Sequence, residues 1–355
     1  MNTLIGLLII AIGSFGQSSS YVPINKVKNW SWESFWLVQG IFAWLVFPYL
    51  GALLGVPDGG SLTQLWSSNS LNADSSNLAH MGAFGSVLFG ILWGIGGLTF
   101  GLSMRYLGVA LGQSIALGTC AGFGTLIPAL LAGKDLLHGQ GLMLLIGVCI
   151  TLAGIAIIGY AGSLRSKNMT EEEKKAAIKD FALTKGLLVA LLAGVMSACF
   201  ALGLDAGSGI KQAAIDAGVK PLFAGLPVTL LVTLGGFITN AAYCIQQNIH
   251  NHTGKDYFSV SGNILTNNIL FCALAGVLWY SQFFGLEMGK SFLTDSPILL
   301  AFSWSILMAL NVTFSNVWGI ILKEWKGASK LTVGVLLLGL VVLVSSIVVV
   351  AIAQQ

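Results

Sequence analysis

Ten long apolar stretches, separated by short polar connections, make up most of the chain. Each is close to or above the roughly 20 residues that an α-helix needs to cross the hydrocarbon core of a bilayer. They cover residues 3–24, 31–55, 80–103, 108–132, 141–163, 185–206, 221–247, 264–287, 297–321 and 329–353. The pattern predicts an all-α integral membrane protein with ten transmembrane helices, numbered here as spans one to ten in chain order.

The polar connections on the two sides of the predicted bundle differ in charge. Thirteen of the 17 Lys and Arg residues fall on one side, and the other side carries only Lys134, Lys211, Lys220 and Lys290. Cytoplasmic loops of membrane proteins are enriched in Lys and Arg. The first side is therefore predicted to be cytoplasmic and, with ten spans, both termini are predicted to be periplasmic.

A charged segment over residues 164–184 separates the spans into two sets of five. Because five is odd, two sets with the same fold would insert in opposite orientations, as in the inverted repeats of many secondary transporters. The predicted organisation is a five-helix repeat over 1–163, a charged cytoplasmic linker over 164–184 and a second five-helix repeat over 185–355. Lys174, Lys175 and Lys179 of the linker are suited to contact anionic membrane lipid.

Composition excludes several classes of protein. The chain is 55% apolar and 9% charged, whereas soluble domains contain roughly 25% charged residues. Its net charge of +3 is not concentrated in a basic block, so nucleic acid is not an expected partner. The five cysteines lie singly in apolar stretches without CxxC spacing, so no metal site, disulfide or cofactor is predicted.

The spans contain no Asp, Glu, Lys, Arg or His near their centres, which argues against an enzyme. Catalysis at membrane depth would need paired aspartates, a Ser/His pair or an HExxH helix, and the sequence offers none of these there. Buried charges are costly in a bilayer, about 3 kcal/mol each on insertion scales. The charged candidates Glu33 and Asp205 lie instead towards the ends of spans two and six.

Neutral hydrogen-bonding residues do occur at depth. They are Gln17 and Tyr21 on span one, Gln39 on span two, Gln113 on span four, Asn268 and Gln282 on span eight, and Asn311 and Asn316 on span nine. Amides in hydrocarbon must find hydrogen-bond partners. Two interpretations are open: the amides join neighbouring helices, or they line a cavity that suits an uncharged ligand rich in hydroxyl groups.

Tryptophans inside the spans favour the second interpretation. Trp93 is near the middle of span three, away from the membrane interface where Trp is usual. Trp279 shares a helix face with Gln282 and Phe283, and Trp304 lies inside span nine. A flat apolar ring beside amides is suited to bind a sugar, although ordinary core packing accounts for each ring taken alone.

Glycines at four-residue spacing predict close helix packing. The pairs are Gly90 and Gly94, Gly97 and Gly101, Gly108 and Gly112, and Gly118 and Gly122. Small residues on one helix face allow the backbones of two membrane helices to approach closely. Spans three and four are therefore expected to pack tightly against their neighbours.

Several stretches together resemble one transporter family. They are Val22-Pro-Ile-Asn-Lys-Val-Lys-Asn-Trp-Ser-Trp-Glu33, Trp93-Gly-Ile-Gly, Met104-Arg-Tyr-Leu-Gly108, Leu278-Trp-Tyr-Ser-Gln-Phe-Phe284 and Leu322-Lys-Glu-Trp325. The chain resembles the L-rhamnose/proton symporter family of the drug/metabolite transporter superfamily. The resemblance implies two inverted five-helix repeats in a bacterial inner membrane, with inward transport of L-rhamnose together with a proton.

The resulting hypothesis is proton symport of a neutral deoxyhexose by alternating access. The predicted substrate residues are Gln17, Tyr21, Gln39, Trp93, Gln113, Asn268, Trp279, Gln282, Trp304 and Asn311. Glu33, in the family-like Trp-Ser-Trp-Glu stretch, is the first candidate for proton coupling, and Asp205, beside Gly203 and Gly207, is the second. A solvated carboxylate at a helix start is the alternative for Glu33. The alternative functions are transport of another neutral sugar or metabolite, with or without sodium coupling, and a membrane sensor that transports nothing.

Overall fold

The computed structural model describes residues 2–67, 81–107, 109–167, 183–323 and 325–353. Every regular element in these ranges is helical. Ten helical segments are long and apolar enough to cross a membrane, and each coincides with one of the ten predicted spans. The predicted all-α, ten-span membrane architecture is thereby confirmed. Residues 168–182 of the predicted linker lie outside the described ranges.

Most spans are single helices. These are Gly82–Leu107 (span three), Val109–Leu131 (four), Gly139–Lys167 (five), Leu226–His250 (seven), Gly262–Lys290 (eight), Pro297–Ile321 (nine) and Lys330–Ile352 (ten). Two short helices, Leu62–Ser67 and Asp256–Ser259, lie in connections between spans.

Spans one, two and six are built from consecutive pieces. Span one joins Asn2–Ser19 to Tyr21–Ile24, and span six joins Leu183–Ala206 to Ser208–Asp216. Pro23 has no N–H to donate to the carbonyl of Ser19, which explains the interruption of span one. Gly207 occupies the break in span six.

Span two contains a π-helical turn in its middle. Its pieces are Trp32–Gly40, the π-helix Ile41–Val46 and Phe47–Leu53. The N–H of Phe47 donates to the carbonyl of Phe42, five residues back, as is characteristic of π-helix. Pro48 follows and cannot donate to the carbonyl of Trp44. The π turn therefore lies where proline removes an α-helical hydrogen bond.

The chain forms two compact units. Unit one comprises Met1–Gly94 and Leu202–Phe292, and thus spans one, two, seven and eight with parts of three and six. Its tightest crossing joins spans one and eight. A Cβ at Gly13 would lie 2.5 Å from the carbonyl oxygen of Ser281, and the Ser281 hydroxyl donates to the carbonyl of Gly13 at 2.9 Å. Small residues thus permit backbone contact.

Unit two comprises Ile95–Ala201 and Leu293–Gln355, and thus spans four, five, nine and ten with the rest of three and six. Spans five and ten pack closely, because a Cβ at Gly154 would lie 2.9 Å from the backbone nitrogen of Leu343. The hydroxyls of Thr151 and Ser346 bond across the same pair at 3.0 Å. Each unit takes spans from both halves of the chain, so these units do not test the predicted repeats.

The glycine prediction is correct for one pair and wrong for another. Cβ atoms at Gly90 and Gly94 would meet Val232, Thr239 and Gly236 of span seven. By contrast, no atom of the described residues lies within 4 Å of a Cβ built at Gly97 or Gly101. Glycine spacing alone does not show which helix face has a neighbour, since the same spacing occurs on exposed faces.

Candidate functional site

Four aromatic rings meet inside unit one. Trp44 comes from the π turn of span two, Trp93 from span three, and Trp279 and Phe283 from span eight. The centroids of Trp44 and Trp93 are 6.1 Å apart, and that of Trp279 is 5.8 Å from each of them. Phe283 lies 5.3 Å from Trp279. The structure thus brings together Trp93 and Trp279 of the predicted site and adds Trp44. These three tryptophans and Phe283 are called the aromatic cluster.

Glycines beneath the rings make room for the aromatic cluster. A Cβ at Gly40 would lie 2.6 Å from the Trp44 ring, and one at Gly236 would collide with the Trp93 ring. Trp44 and Phe283 are buried, whereas Trp93 and Trp279 are partly exposed. The aromatic cluster therefore presents a partly open apolar surface, which suits the CH-rich face of a sugar.

Polar groups lie on the same helices as the aromatic cluster. Gln39 is 2% exposed, and its Oε1 has no hydrogen-bond partner among the described residues. The same holds for Nε1 of Trp44, which is 4% exposed. Gln282 is buried and donates from Nε2 to the carbonyl of Trp279 at 3.2 Å. Gln39 and Gln282 are neutral, and the nearest carboxylate along these helices is Glu287, one turn beyond Phe283.

Three further predicted site residues belong to unit one. Asn268 donates to the carbonyl of Lys28 at 2.7 Å and accepts from its N–H at 2.9 Å, so its amide holds the connection between spans one and two. Gln17 accepts from the hydroxyl of Ser18 at 3.3 Å. Tyr21 is 55% exposed.

The remaining predicted substrate residues belong to unit two. Trp304 is buried, stacks on Phe200 at 5.8 Å between centroids and donates from Nε1 to the carbonyl of Cys120 at 3.2 Å. This indole is thus packed and hydrogen-bonded within its own unit. Gln113 and Asn311 are partly exposed.

Span two is joined to span seven and the connection after it by a row of polar contacts. Nε1 of Trp36 donates to Asn240 at 3.1 Å, and the Ser34 hydroxyl donates to Asn248 at 3.0 Å. Further along, Asn251 and Thr253 donate to Oε1 of Glu33 at 3.0 and 2.7 Å. This row, from Trp36–Asn240 to Glu33, is called the polar ladder.

Glu33 is only 6% exposed, so it is not a freely solvated carboxylate. All of the hydrogen bonds described for its side chain come from neutral groups. The Thr253 hydroxyl also lies 3.1 Å from Oδ1 of Asn248, and the Ser34 hydroxyl lies within hydrogen-bond distance of Oδ1 of Asn248 and Oδ2 of Asp256. The two carboxylates of Glu33 and Asp256 thus take part in one hydrogen-bonded network.

Asp256 opens the short helix between spans seven and eight. Its carboxylate accepts from the backbone N–H of Ser31 at 2.7 Å and from the Ser34 hydroxyl at 2.9 Å. Burial acts to raise the pKa of Asp256, but the hydrogen bonds from Ser31 and Ser34 outweigh it and, together with the charge of Lys255, hold the pKa below its usual value. The ionised carboxylate therefore holds the start of span two.

The second proton-coupling candidate lies near another set of charges in unit one. Glu287 is buried and contacts Lys211 at 3.2 Å and Lys290 at 2.9 Å. Asp205 is partly exposed and lies within electrostatic reach of Lys290. Within the described ranges, Asp205 itself makes no hydrogen bond or ion pair.

Comparison with known proteins assigns the family. The sequence model of a family described as "L-rhamnose-proton symport protein (RhaT)" matches residues 1–354. The chain belongs to this family. Proteins named L-rhamnose-proton symporter from Yersinia pestis (strain Pestoides F) and Yersinia pseudotuberculosis (serotype O:1b, strain IP 31758) are each 35% identical to it over 346 residues. The alignments cover 96% of this chain and 95% of each relative.

Membership of the L-rhamnose-proton symport family confirms two predictions made from the sequence. The resemblance carried by the short motifs identifies the correct family, and the family is one of transporters rather than enzymes. A family member with ten candidate spans is a multi-pass membrane protein.

Sequence reasoning missed several residues of the site. Trp44 resembles an ordinary span tryptophan, and only the π turn brings it against Trp93 and Trp279. Asp256 lies in a short connection, where carboxylates are expected in any protein. The density of tryptophan in span two, at positions 32, 36 and 44, is the signal that could have drawn attention to Trp44.

Proposed function

We propose that this protein imports L-rhamnose, a neutral deoxyhexose, by symport with a proton across a bacterial inner membrane. The observation that carries the proposal is the family match over nearly the whole chain, residues 1–354. The relatives named L-rhamnose-proton symporter are matched at 35% identity without large unmatched regions. Transfer of the named activity to this chain therefore rests on the whole architecture and not on one motif.

The aromatic cluster supports a neutral sugar as substrate. Trp93 and Trp279 offer partly exposed rings, and Gln39 and Gln282 supply amides on the adjoining helices. A charged substrate would favour an opposite charge beside it, and the cluster rings come with neutral groups. We propose that the sugar binds here, where spans from both halves of the chain meet. Gln17, Tyr21, Gln113, Asn268, Trp304 and Asn311 stay predictions as substrate residues.

Glu33 is the proposed proton-coupling residue, with Asp205 as the second candidate. Glu33 lies at the end of the polar ladder that begins beside the aromatic cluster with Trp36, whose ring is 5.8 Å from that of Trp44. The neutral partners of Glu33 leave its charge uncompensated. Binding of a proton to Glu33 would therefore change the strength of its hydrogen bonds in the polar ladder. Asp205 lies beside the break in span six, where a change of helix direction is possible.

The proposed transport cycle is alternating access by two inverted repeats, 1–163 and 185–355, as in the drug/metabolite transporter superfamily. In this proposal both termini are periplasmic, and the linker is cytoplasmic and lies near membrane lipid. In such a repeat spans one and three correspond to spans six and eight. The crossing of spans one and eight would then correspond to a crossing of spans six and three. Small residues support this: a Cβ at Gly96 would lie 2.5 Å from the backbone of Ser197, and the Ser86 hydroxyl donates to the carbonyl of Gly203.

Counterflow in liposomes tests the substrate. Purified protein in vesicles loaded with a panel of unlabelled neutral sugars should take up labelled L-rhamnose fastest when L-rhamnose is inside. Faster exchange with another sugar would contradict L-rhamnose as the substrate. Binding of L-rhamnose without any exchange would instead indicate a sensor, and uptake that requires sodium rather than a pH gradient would contradict proton coupling.

A further inference from the structure

Two polar atoms on span two are buried without a hydrogen bond. They are Oε1 of Gln39 and Nε1 of Trp44, and neither has a partner among the described residues. A buried polar group without a partner costs about 1–3 kcal/mol, and the great majority of such groups in folded proteins are satisfied. Two of them on one helix require an explanation.

The neighbouring polar side chains of the same helix are satisfied. Trp36, eight residues before Trp44, donates from Nε1 to Asn240, and Ser34 bonds to Asn248 and Asp256. The protein therefore supplies partners for polar groups nearer the start of this helix. Among the described residues of span two, the unpartnered buried side-chain atoms are those of Gln39 and Trp44.

The π turn relates the two atoms to each other. It covers Ile41–Val46, so Trp44 lies within it and Gln39 lies just before it, five residues earlier. A π-helix bonds residues five apart, which places Trp44 about one turn beyond Gln39. One atom is a donor and the other an acceptor, and a hydroxyl group can bond to either.

We propose that the π turn of span two is the sugar-recognition element of this transporter. When the site opens, Nε1 of Trp44 donates to one hydroxyl oxygen of a deoxyhexose, and Oε1 of Gln39 accepts from another hydroxyl. The rings of Trp93 and Trp279 pack against the CH face of the sugar. This inference rests on the proposed function and adds to it the two atoms that select hydroxyl groups.

The test compares two variants with a matched control. Trp44→Phe keeps a ring but removes the N–H, and Gln39→Met keeps the chain length but removes the amide. Trp66→Phe is the control, because Nε1 of Trp66 also has no partner among the described residues but belongs to the short helix Leu62–Ser67 outside the spans. Binding of L-rhamnose to each purified protein is measured by calorimetry, together with its thermal midpoint.

Trp44→Phe and Gln39→Met should each bind L-rhamnose about tenfold more weakly, as expected for one lost hydrogen bond. The thermal midpoint of Gln39→Met should stay unchanged or rise, because this variant removes an unpaired buried acceptor. That of Trp44→Phe should fall only through the ring volume that is lost, as in Trp66→Phe. Trp66→Phe should bind like the wild type. An ordinary structural role for Oε1 of Gln39, including a hydrogen bond to permanently bound water, would instead lower the thermal midpoint of Gln39→Met. The same role for Nε1 of Trp44 would lower the midpoint of Trp44→Phe well below that of Trp66→Phe.

Singly deoxygenated rhamnoses give a second readout, the first part of which uses only the wild type. The wild type should lose about tenfold in affinity for at least two of these analogues, and Trp44→Phe and Gln39→Met should each become insensitive to one of them. Unchanged affinity of both variants, or equal sensitivity to every analogue, would overturn the inference while leaving the proposed function intact. A wild type that binds no rhamnose would overturn both.

Discussion

The polar side chains of span two change in character along the helix. Glu33 and Ser34, at its start, are charged or hydroxylic and bond to residues at or after the end of span seven. Gln39 and Trp44, further along, are neutral, and Oε1 of Gln39 and Nε1 of Trp44 have no hydrogen-bond partner among the described residues. The residues suited to a proton and those suited to a sugar thus lie on the same helix.

Replacement of Glu33 by glutamine tests its role in coupling. The glutamine side chain keeps an Oε1 that can accept from Asn251 and Thr253, but it cannot take up a proton. A one-proton symporter can accumulate its substrate about tenfold under a pH difference of one unit. We expect the Glu33→Gln variant to exchange L-rhamnose in counterflow and to lose this accumulation.

Asp135→Asn is the matched control for that variant, because Asp135 is an exposed carboxylate in the connection between spans four and five. It should accumulate L-rhamnose like the wild type. If Glu33→Gln uptake kept its full pH dependence, Glu33 would not be the coupling residue, and Asp205→Asn would become the next variant to measure.

The lowered pKa of Asp256 predicts that the thermal stability of the protein depends on pH. Its pKa in the folded protein lies below the usual value, so its hydrogen bonds contribute stability at pH values above about 4, the ordinary aspartate pKa. This stability is lost as the pH falls through the lowered pKa. The thermal midpoint of the purified protein should fall on acidification, and fall less in Asp256→Asn; an equal fall in both would contradict the assignment.

Single-residue roles are only partly readable from the sequence. The absence of charge at mid-span predicts neutral groups near Trp93 and Trp279, and Gln282 donates to the carbonyl of Trp279. Asn268, by contrast, has the same amide as Gln39, but its amide holds the backbone of Lys28. Residue type does not show whether an amide bonds to the protein backbone or is left for a ligand. The backbone partner of Asn268 lies in a connection that is distant in sequence and comes close only in the fold.

The helices are predicted more completely than the side chains. A span must be apolar over roughly 20 residues, and this requirement alone recovers all ten spans. The π turn of span two does not follow from apolarity, since it depends on hydrogen bonds around Pro48. The faces on which spans meet also depend on the fold, as Gly97 shows.

Substitution of glycine by alanine tests the span crossings. Gly13→Ala places a Cβ 2.5 Å from the Ser281 carbonyl oxygen, so the crossing of spans one and eight must widen. Overpacking of this kind costs about 1–3 kcal/mol, and the thermal midpoint should fall. Gly97→Ala, in the open part of span three, should be neutral or stabilising by up to about 1 kcal/mol. Equal midpoints for the two variants would contradict the assigned crossing.

At the scale of the whole molecule, both compact units combine spans from the two halves of the chain. A sugar bound at the aromatic cluster would contact spans two and three of the first half and span eight of the second. Movement of one half of the chain relative to the other would therefore change the arrangement of the side chains around the sugar. This is what alternating access requires, and it supports the aromatic cluster as the proposed sugar site.

Rhamnose-dependent proton entry tests the central claim most directly. Vesicles containing the purified protein are placed in a lightly buffered, sodium-free medium, and the external pH is recorded when L-rhamnose is added. The external pH should rise immediately, because each sugar enters with a proton, and it should not rise in vesicles without protein. Entry of labelled L-rhamnose without any change in external pH would contradict proton symport.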